Sequence, residues 1–174
     1  MTSPEPVMAE ARDALTAMAD DLAFLARLHD RELDRATLDQ LAAAPPDSWL
    51  SLHLTSEEAR VGYQLLSGFL ADDDAKPDGR LAMAEALAAD YADLYLTFGK
   101  RLSPTESFWL TEDHIERQEP MFEVRRWYRH HGLSASNWRL RPDDHLVHQL
   151  EFIAHLLAQG QAIAALDAGL RRAA

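Results

Sequence analysis

The 174-residue chain contains no cysteine. A chain without cysteine has no disulfide, no thiolate nucleophile, no zinc–cysteine site and no iron–sulfur ligation. The sequence also lacks the run of roughly 18 apolar residues that a membrane span requires. Residues 1–12 are acidic and have no apolar core, so they are not predicted to be a signal peptide. From these absences we expect a cytoplasmic protein without a membrane span.

Basic side chains are also in short supply. Lys and Arg number 17 against 29 Asp and Glu, which gives a net charge of −12 at neutral pH. A nucleic-acid-binding protein needs a basic face to replace the counterions around phosphates, so we expect no nucleic-acid partner. The acidic balance favours basic ligands or basic peptide segments, although a solvated acidic surface without any partner has the same composition.

Signatures of common catalytic and nucleotide sites are missing as well. The seven glycines are scattered, so the chain has neither a phosphate-binding loop nor a dinucleotide fingerprint. No cofactor is predicted, and weak nucleotide binding stays open. No Gly-x-Ser-x-Gly elbow presents a serine for hydrolysis, which leaves only loop serines such as Ser103 and Ser107.

Helical periodicity runs through almost the whole chain. Ala, Leu, Glu, Arg and Asp dominate, β-branched residues are scarce, and apolar residues recur every three to four positions. With 47% hydrophobic residues, the length suits one all-α domain over residues 1–174. An irregular segment is predicted at 98–109, where Gly, Pro and Ser interrupt the pattern. The predicted helices cover about residues 5–29, 33–43, 55–72, 80–96, 119–131, 142–157 and 161–172.

Three helix ends are predicted from local sequence. The Thr-Ser-Glu-Glu run at residues 55–58 is a capping box with its threonine as the cap. Pro142 is predicted at the first position of a helix, with Asp143 and Asp144 in the first turn, where the helix dipole favours negative charge. Gly132 is predicted to follow the end of the helix before it.

A cluster of acidic and histidine side chains follows Pro142. Residues four apart on a helix share one face, so several members of the cluster form pairs. Carboxylate-bridged di-iron bundles need Glu-x-x-His on two helices, and the sequence has neither that motif nor His-Glu-x-x-His. Two interpretations stay open: charge pairs on an exposed helix face, or a metal-dependent enzyme built on a helical bundle. The cluster comprises Asp144, His145, His148, Glu151 and His155.

Large aromatic and apolar groups lie at the end of the fourth predicted helix and in the segment that leaves it. A loop that carries such groups usually packs them against something. They are core residues in one interpretation. In the other they wall a groove for an extended or helical peptide, which is the surface of a generic peptide-binding module. The set is Tyr91, Leu94, Tyr95, Phe98 and Trp109.

Three segments, in order, resemble one chaperone family. DYADLYL at residues 90–96, followed by PTESFW at 104–109, is similar to the aromatic-x-x-Leu-aromatic … Pro-x-x-Ser-x-aromatic signature of TorD/DmsD/NarJ-type chaperones. Residues 118–133 resemble the TorD-like branch of that family. PDDHL at 142–146 is similar to its Pro-x-Asp-His-Leu helix. Together these segments cover roughly residues 85–160.

The resemblance implies a TorD-like helical bundle and a cytoplasmic chaperone without catalysis of its own. Such proteins bind the twin-arginine leader or the apo form of a molybdenum-cofactor oxidoreductase until the cofactor is inserted, and then allow export. In this interpretation Asp144 pairs with a leader arginine, while aromatic side chains hold the apolar part. The resemblance places leader binding at Tyr91, Leu94, Tyr95, Pro104, Ser107, Trp109, Asp144 and His145.

Two departures from the family pattern lead to further expectations. Thr105 stands where many members carry an aromatic residue, so we expect a smaller wall of the groove there. Family members usually continue beyond the position of Ala174, and we expect this chain to lack that C-terminal extension. An uncovered apolar patch recruits a partner or a second copy. We therefore expect either a monomer or a dimer, the dimer formed by exchange of helices.

Overall fold

The computed structural model describes residues 4–72, 78–97 and 102–160. In these ranges the only strand-like pairing is an isolated antiparallel bridge between Thr105 and His145. None of the described helices is long and apolar enough to cross a bilayer. The predicted all-α fold is therefore confirmed. The helices are α1 Pro4–Asp30, α2 Arg35–Ala42, α3 Glu57–Asp72, α4 Gly79–Tyr91, α5 Glu106–Leu110, α6 Glu119–His130 and α7 Leu146–Ala158.

The most extensive contact between helices joins α1 to α7. The buried apolar residues are Ala19 and Ala26 on α1, and Val147 and Ala154 on α7. Within each helix the two residues are seven positions apart, about two turns, so they lie on one face. Because these side chains are small, the two helices can pack closely. This packing fixes the N-terminus of α7 near the C-terminus of α1.

A second apolar cluster joins α2, α3 and α4. Its buried residues come from all three helices, and partly buried apolar side chains pack around them. The indole of Trp49 closes one side, where its Nε1 donates to the carbonyls of Leu41 and Ala44, each at 3.1 Å. Packing from helices distant in sequence holds this half of the protein together. The buried members are Leu38, Leu70, Met83 and Ala84.

The structure corrects two predicted helix starts. α3 begins at Glu57, and the amide of Ala59 donates to the hydroxyl of Ser56 at 3.2 Å, so the serine and not the threonine at position 55 is the cap. α7 begins at Leu146, and His145 is its N-cap. The prediction that Pro142 is the first residue of α7 was wrong, because Pro142 closes a turn in which its carbonyl accepts the amide of His145.

Two helix ends are also informative. α4 is regular only as far as Tyr91 and continues as a π-helical segment over Ala92–Leu96, where the prediction had one helix to about residue 96. π-helical turns are rare and occur often at functional sites. The predicted helix stop at Gly132 is confirmed, since this residue follows α6 with a φ of +73°, a conformation that glycine adopts without strain.

Some predicted structure lies outside the described residues, namely Phe98 and the last helix at 161–172. Within the described residues, several apolar side chains expected to face inward are at the surface. Leu81 of α4 is 45% exposed, and the apolar stripe of α3 is buried only at Leu70. Exposed on α3 are Val61, Leu65, Leu66 and Phe69.

Candidate functional site

Two of the motif segments bond directly to each other. The amide of Leu146 donates to the carbonyl of Pro104 at 2.8 Å, and the amide of Glu106 donates to the carbonyl of Asp144 at 3.1 Å. These bonds bring the first turn of α5 against the first turn of α7. We call residues 103–107 and 142–146 together the motif junction.

Asp144 lies at the centre of the motif junction and is fully buried, with 0% of its surface exposed. Its Oδ2 accepts the amide of Ser107 at 2.7 Å. That amide lies in the first turn of α5, where helix N–H groups lack partners inside the helix and favour a negative charge. Oδ1 is buried without a hydrogen-bond partner in the described part of the chain. The carboxylate is thus used internally, as a cap for α5.

Ser107 is buried as well, and its hydroxyl is equally occupied. Its Oγ accepts the amide of Arg117 at 3.1 Å, and its carbonyl accepts the hydroxyl of Thr111 at 2.8 Å. The serine therefore ties α5 to the loop that leads into α6. A hydroxyl held in this way is not presented as a nucleophile, so the geometry does not favour hydrolysis at this residue.

His145 is 7% exposed, and its ring caps α7. Its Nδ1 accepts the amide of Val147 at 3.1 Å. Because a backbone amide only donates, Nδ1 carries no proton, and the ring is neutral with its proton on Nε2. Burial is the largest cause that lowers the pKa of His145 to about 4, and the nearby Arg141 and His148 lower it further.

Asp143 turns away from Asp144 and pairs with α6. Both of its carboxylate oxygens accept from Arg125, the Nε at 3.2 Å and an Nη at 2.8 Å. Its carbonyl accepts the hydroxyl of Tyr128 at 2.9 Å, and burial raises the pKa of that phenol. The two adjacent aspartates therefore anchor two different helices, α6 through Asp143 and α5 through Asp144.

Tyr91 and Tyr95 extend the site from the motif junction towards α1. Their rings lie 4.7 Å apart between centroids, and Tyr95 lies 6.3 Å from the ring of His145. The Tyr91 hydroxyl donates to the carbonyl of Asp30 at 3.1 Å, and the Tyr95 hydroxyl bonds to Nδ1 of His29. Burial raises the pKa of both phenols. Both rings are half-buried, with their polar ends fixed on the C-terminus of α1.

Trp109 is the most exposed of the predicted site residues, with 53% of its surface accessible. Its Nε1 donates to the carbonyl of Ser103 at 2.8 Å, and its ring meets that of Phe108 edge-on, with centroids 5.2 Å apart. The indole is thus held in one orientation while much of its surface faces solvent. A rigid, half-exposed aromatic ring of this kind is suited to contact another molecule.

The predicted residues therefore fall into two groups. Ser107, Asp144 and His145 are buried, whereas Pro104 and Leu94 are half-buried. Hydrogen bonds of the motif junction and ring contacts connect most of these residues, and Leu94 lies on the π-helical segment, next to Tyr95 in the chain. Thr105 is also buried and bonds to Ser103, so the expectation that it forms a smaller groove wall is wrong.

Several residues that hold the site were not predicted. Arg141 binds both the carboxylate and the carbonyl of Asp30 and lowers the pKa of that carboxyl. Glu116 accepts the hydroxyl of Ser103 at 2.9 Å. Arg141 and Asp30 are 111 positions apart in sequence, so no local pattern connects them. The run containing Arg125 was part of the family resemblance, but its pairing with the first aspartate of the PDDHL motif was not foreseen.

The acidic-histidine cluster does not assemble as a metal site. The described residues contain no group of three or more His, Asp or Glu side chains placed to hold a metal ion. His148 pairs with Glu151 at 3.3 Å, and His155 lies farther along α7. The arrangement therefore does not favour the metal-dependent enzyme, and the charge-pair interpretation applies only to His148 and Glu151, because Asp144 and His145 are buried.

Replacing Asp144 with alanine is expected to lower the free energy of unfolding by about 2 kcal/mol, since the buried amide of Ser107 loses a charged acceptor. Asp144→Asn keeps one acceptor oxygen and is expected to cost less. Urea denaturation at neutral pH measures both variants. If Asp144→Ala is as stable as the wild-type protein, the carboxylate is not held inside the fold and is free to face a partner.

Comparison with known proteins places the chain in a family. The family model described as nitrate reductase delta subunit matches residues 52–173. The chaperone protein TorD of Escherichia coli O81 is 30% identical over 153 residues, which are 86% of this chain and 71% of TorD. TorD of Shigella boydii serotype 18 is 30% identical over 134 residues, 77% of this chain and 62% of the relative. No solved structure matches the chain.

The relatives bear the name of a chaperone, which confirms the prediction of a chaperone and not an enzyme. The resemblance drawn from residues 85–160 is confirmed by a match that extends well beyond them. The chain belongs to the nitrate reductase delta subunit family, among its TorD-like chaperones.

Proposed function

We propose that this protein is a cytoplasmic chaperone for a molybdenum-cofactor oxidoreductase. It binds the twin-arginine leader or the apo form of that enzyme, aids insertion of the cofactor, and allows export only afterwards. The observation that carries the proposal is the similarity to TorD chaperones over 86% of the chain. The net charge of −12 supports it, because an acidic protein associates faster with a basic leader.

In this proposal the eight predicted leader-binding residues have two roles. Tyr91, Leu94, Tyr95 and Trp109 contact the apolar part of the leader, since each keeps part of its surface accessible. Pro104, Ser107, Asp144 and His145 position these groups through the bonds of the motif junction. The division follows burial for Ser107, Asp144 and His145, and Pro104 joins them because its carbonyl accepts the amide of Leu146 within the motif junction. A fully buried carboxylate cannot meet a leader arginine unless the motif junction opens.

Isothermal titration calorimetry with a twin-arginine leader peptide tests the proposal. Trp109→Ala is expected to weaken binding by about 1–3 kcal/mol, the usual range for an interface anchor. Trp127→Ala is the matched control, because Trp127 is a tryptophan of similar exposure on α6, 62% against 53%, and is not one of the eight residues. Trp127→Ala should bind the leader with the affinity of the wild-type protein, and Trp109→Ala should bind it more weakly. Equal affinities would remove Trp109 from the site.

A further inference from the structure

The twin-arginine leader carries two positive charges, but each carboxylate of the motif junction already accepts an internal hydrogen bond, including Glu106, whose Oε2 accepts the side-chain amide of Gln149 at 2.9 Å. Asp143 is bound to Arg125, and Asp144 is bound to the Ser107 amide. Removing either carboxylate from its internal partner would leave a buried donor unpaired, which is costly. If this protein recognises arginine, the acidic groups lie elsewhere on the surface.

A surface groove beside Tyr91 has that chemistry. It encloses about 510 Å³ between residues 31–35, which connect α1 to α2, and one face of α4. Its floor is apolar, formed by Leu81, Ala84 and Ala88. With a rise of about 1.5 Å per residue, the stretch of α4 from Leu81 to Tyr91 is about 15 Å long. That is room for four or five residues of an extended peptide.

Two carboxylates stand on opposite walls of the groove, Glu32 on the α1–α2 connection and Glu85 on α4. Both are exposed. Neither has a hydrogen bond or an ion pair to any residue in the described ranges. Glu32 is close enough to Tyr91 to raise the pKa of its phenol. Both acids are therefore available to a ligand without any change in the fold.

The other charged side chains that line the groove already have a partner within the protein. Asp34 accepts the amide of Thr37 as the N-cap of α2. Arg31 pairs with Asp30 at 3.0 Å, and Arg35 lies 3.8 Å from Asp39. Of the carboxylates that line the groove, Glu32 and Glu85 are the two without a partner in the described residues, and both lie beside its apolar residues. This combination suits a segment in which arginine side chains adjoin apolar residues.

We propose that this groove binds the arginine pair of the leader, with Glu32 and Glu85 as the partners of the two guanidinium groups. The inference rests on the proposed function and states where on the surface the basic part of the leader binds. Tyr91 lines the groove, its ring lies 4.7 Å from that of Tyr95, and Tyr95 lies 6.3 Å from the ring of His145. The groove therefore adjoins the aromatic residues through Tyr91, and in this proposal the apolar part of the leader lies on the side of those rings.

A double-mutant cycle tests the inference by calorimetry, with the leader and a second leader in which glutamines replace both arginines. Glu32→Gln and Glu85→Gln are each expected to weaken binding of the arginine leader about threefold, and together about tenfold, as for partly exposed ion pairs. With the glutamine leader, the double variant is expected to bind as the wild-type protein does. If the pairing is direct, the wild-type protein binds the arginine leader more tightly than the glutamine leader, and the double variant loses most of this difference in affinity.

The matched control is Glu10→Gln with Asp13→Asn, which removes the same two charges from the exposed surface at the other end of α1. Those positions lie about 25 Å or more from Asp30 along the helix, beyond the screening length at physiological salt. The control should bind the leader as the wild-type protein does. If the Glu32/Glu85 variant also binds like wild type, the groove is overturned while the proposed function stands. If the wild-type protein binds no leader, the groove fails together with the leader-binding part of the proposed function.

Discussion

Asp143→Ala is expected to lower the free energy of unfolding by about 3 kcal/mol. The Asp143 carboxylate accepts two hydrogen bonds from Arg125 and is almost fully buried. The side chain of Arg125 lies between the rings of Phe122 and Trp138, 5.2 and 4.8 Å from their centroids. Removing one partner of a buried pair strands the other charge and costs about 3–5 kcal/mol. We expect the low end, because Arg125 is near the surface.

Urea denaturation at neutral pH measures this loss. Asp113→Ala is the control, an aspartate exposed between α5 and α6, and should change stability by no more than about 0.5 kcal/mol. Adding Arg125→Met to Asp143→Ala should recover part of the loss, because no stranded charge remains. A cost below about 1 kcal/mol for Asp143→Ala would show that the pair does not anchor α6 to the motif junction.

Acidification is expected to destabilise the protein through His145 by up to about 3 kcal/mol. In the folded protein burial holds the pKa of His145 at about 4, against an ordinary value of 6.5. Between these two values the unfolded chain binds a proton that the folded protein excludes. The stability from this residue is therefore complete above pH 6.5 and is lost as pH falls towards 4, over about 2.5 units at about 1.4 kcal/mol each.

The structural reason lies in the N-terminus of α7. Protonation at Nδ1 removes the acceptor of the Val147 amide and places a positive charge at the positive end of a helix. Among the charged or titratable groups around the ring, Arg141, His148 and His29 oppose protonation, and Asp30 favours it. His145→Asn keeps a capping acceptor and does not titrate.

Unfolding free energies of the wild-type protein and His145→Asn at pH 7, 6 and 5 measure this contribution. The wild-type protein should lose more stability than the variant over that range, since other ionisable groups contribute equally to both. Parallel pH profiles would mean that His145 is not held neutral by the fold.

Periodicity was enough to predict the longer described helices and their order, but not α5, which begins within the segment predicted to be irregular. The 3.6-residue pattern of α1 and α6 survives in the structure with ends within one or two residues. The starts of α3 and α7 were displaced because each helix is capped by a different nearby residue from the one predicted, Ser56 for α3 and His145 for α7. The turn at Pro142 and the His145 ring set the start of α7. In the sequence, a proline followed by two acidic residues indicates a helix start more strongly than a histidine does, so the start was predicted too early.

The sequence indicated which residues form the candidate site, but not which of them are buried or which partners they bond to. The PDDHL motif was expected to present Asp144 to a client, whereas its two aspartates anchor α5 and α6. Burial of a carboxylate depends on which distant segment supplies an amide or a guanidinium. That information is not local in the chain. The role predicted for Trp109 needs no change in the fold, because this side chain is already exposed, whereas Asp144 is buried.

Calorimetric titration of the wild-type protein with a twin-arginine leader, beside Trp109→Ala, tests the central claim most directly. The account predicts saturable one-to-one binding by the wild-type protein and binding weaker by about 1–3 kcal/mol in the variant. No binding by the wild-type protein, or the same affinity in both, would contradict the claim that a leader binds on the surface around Trp109.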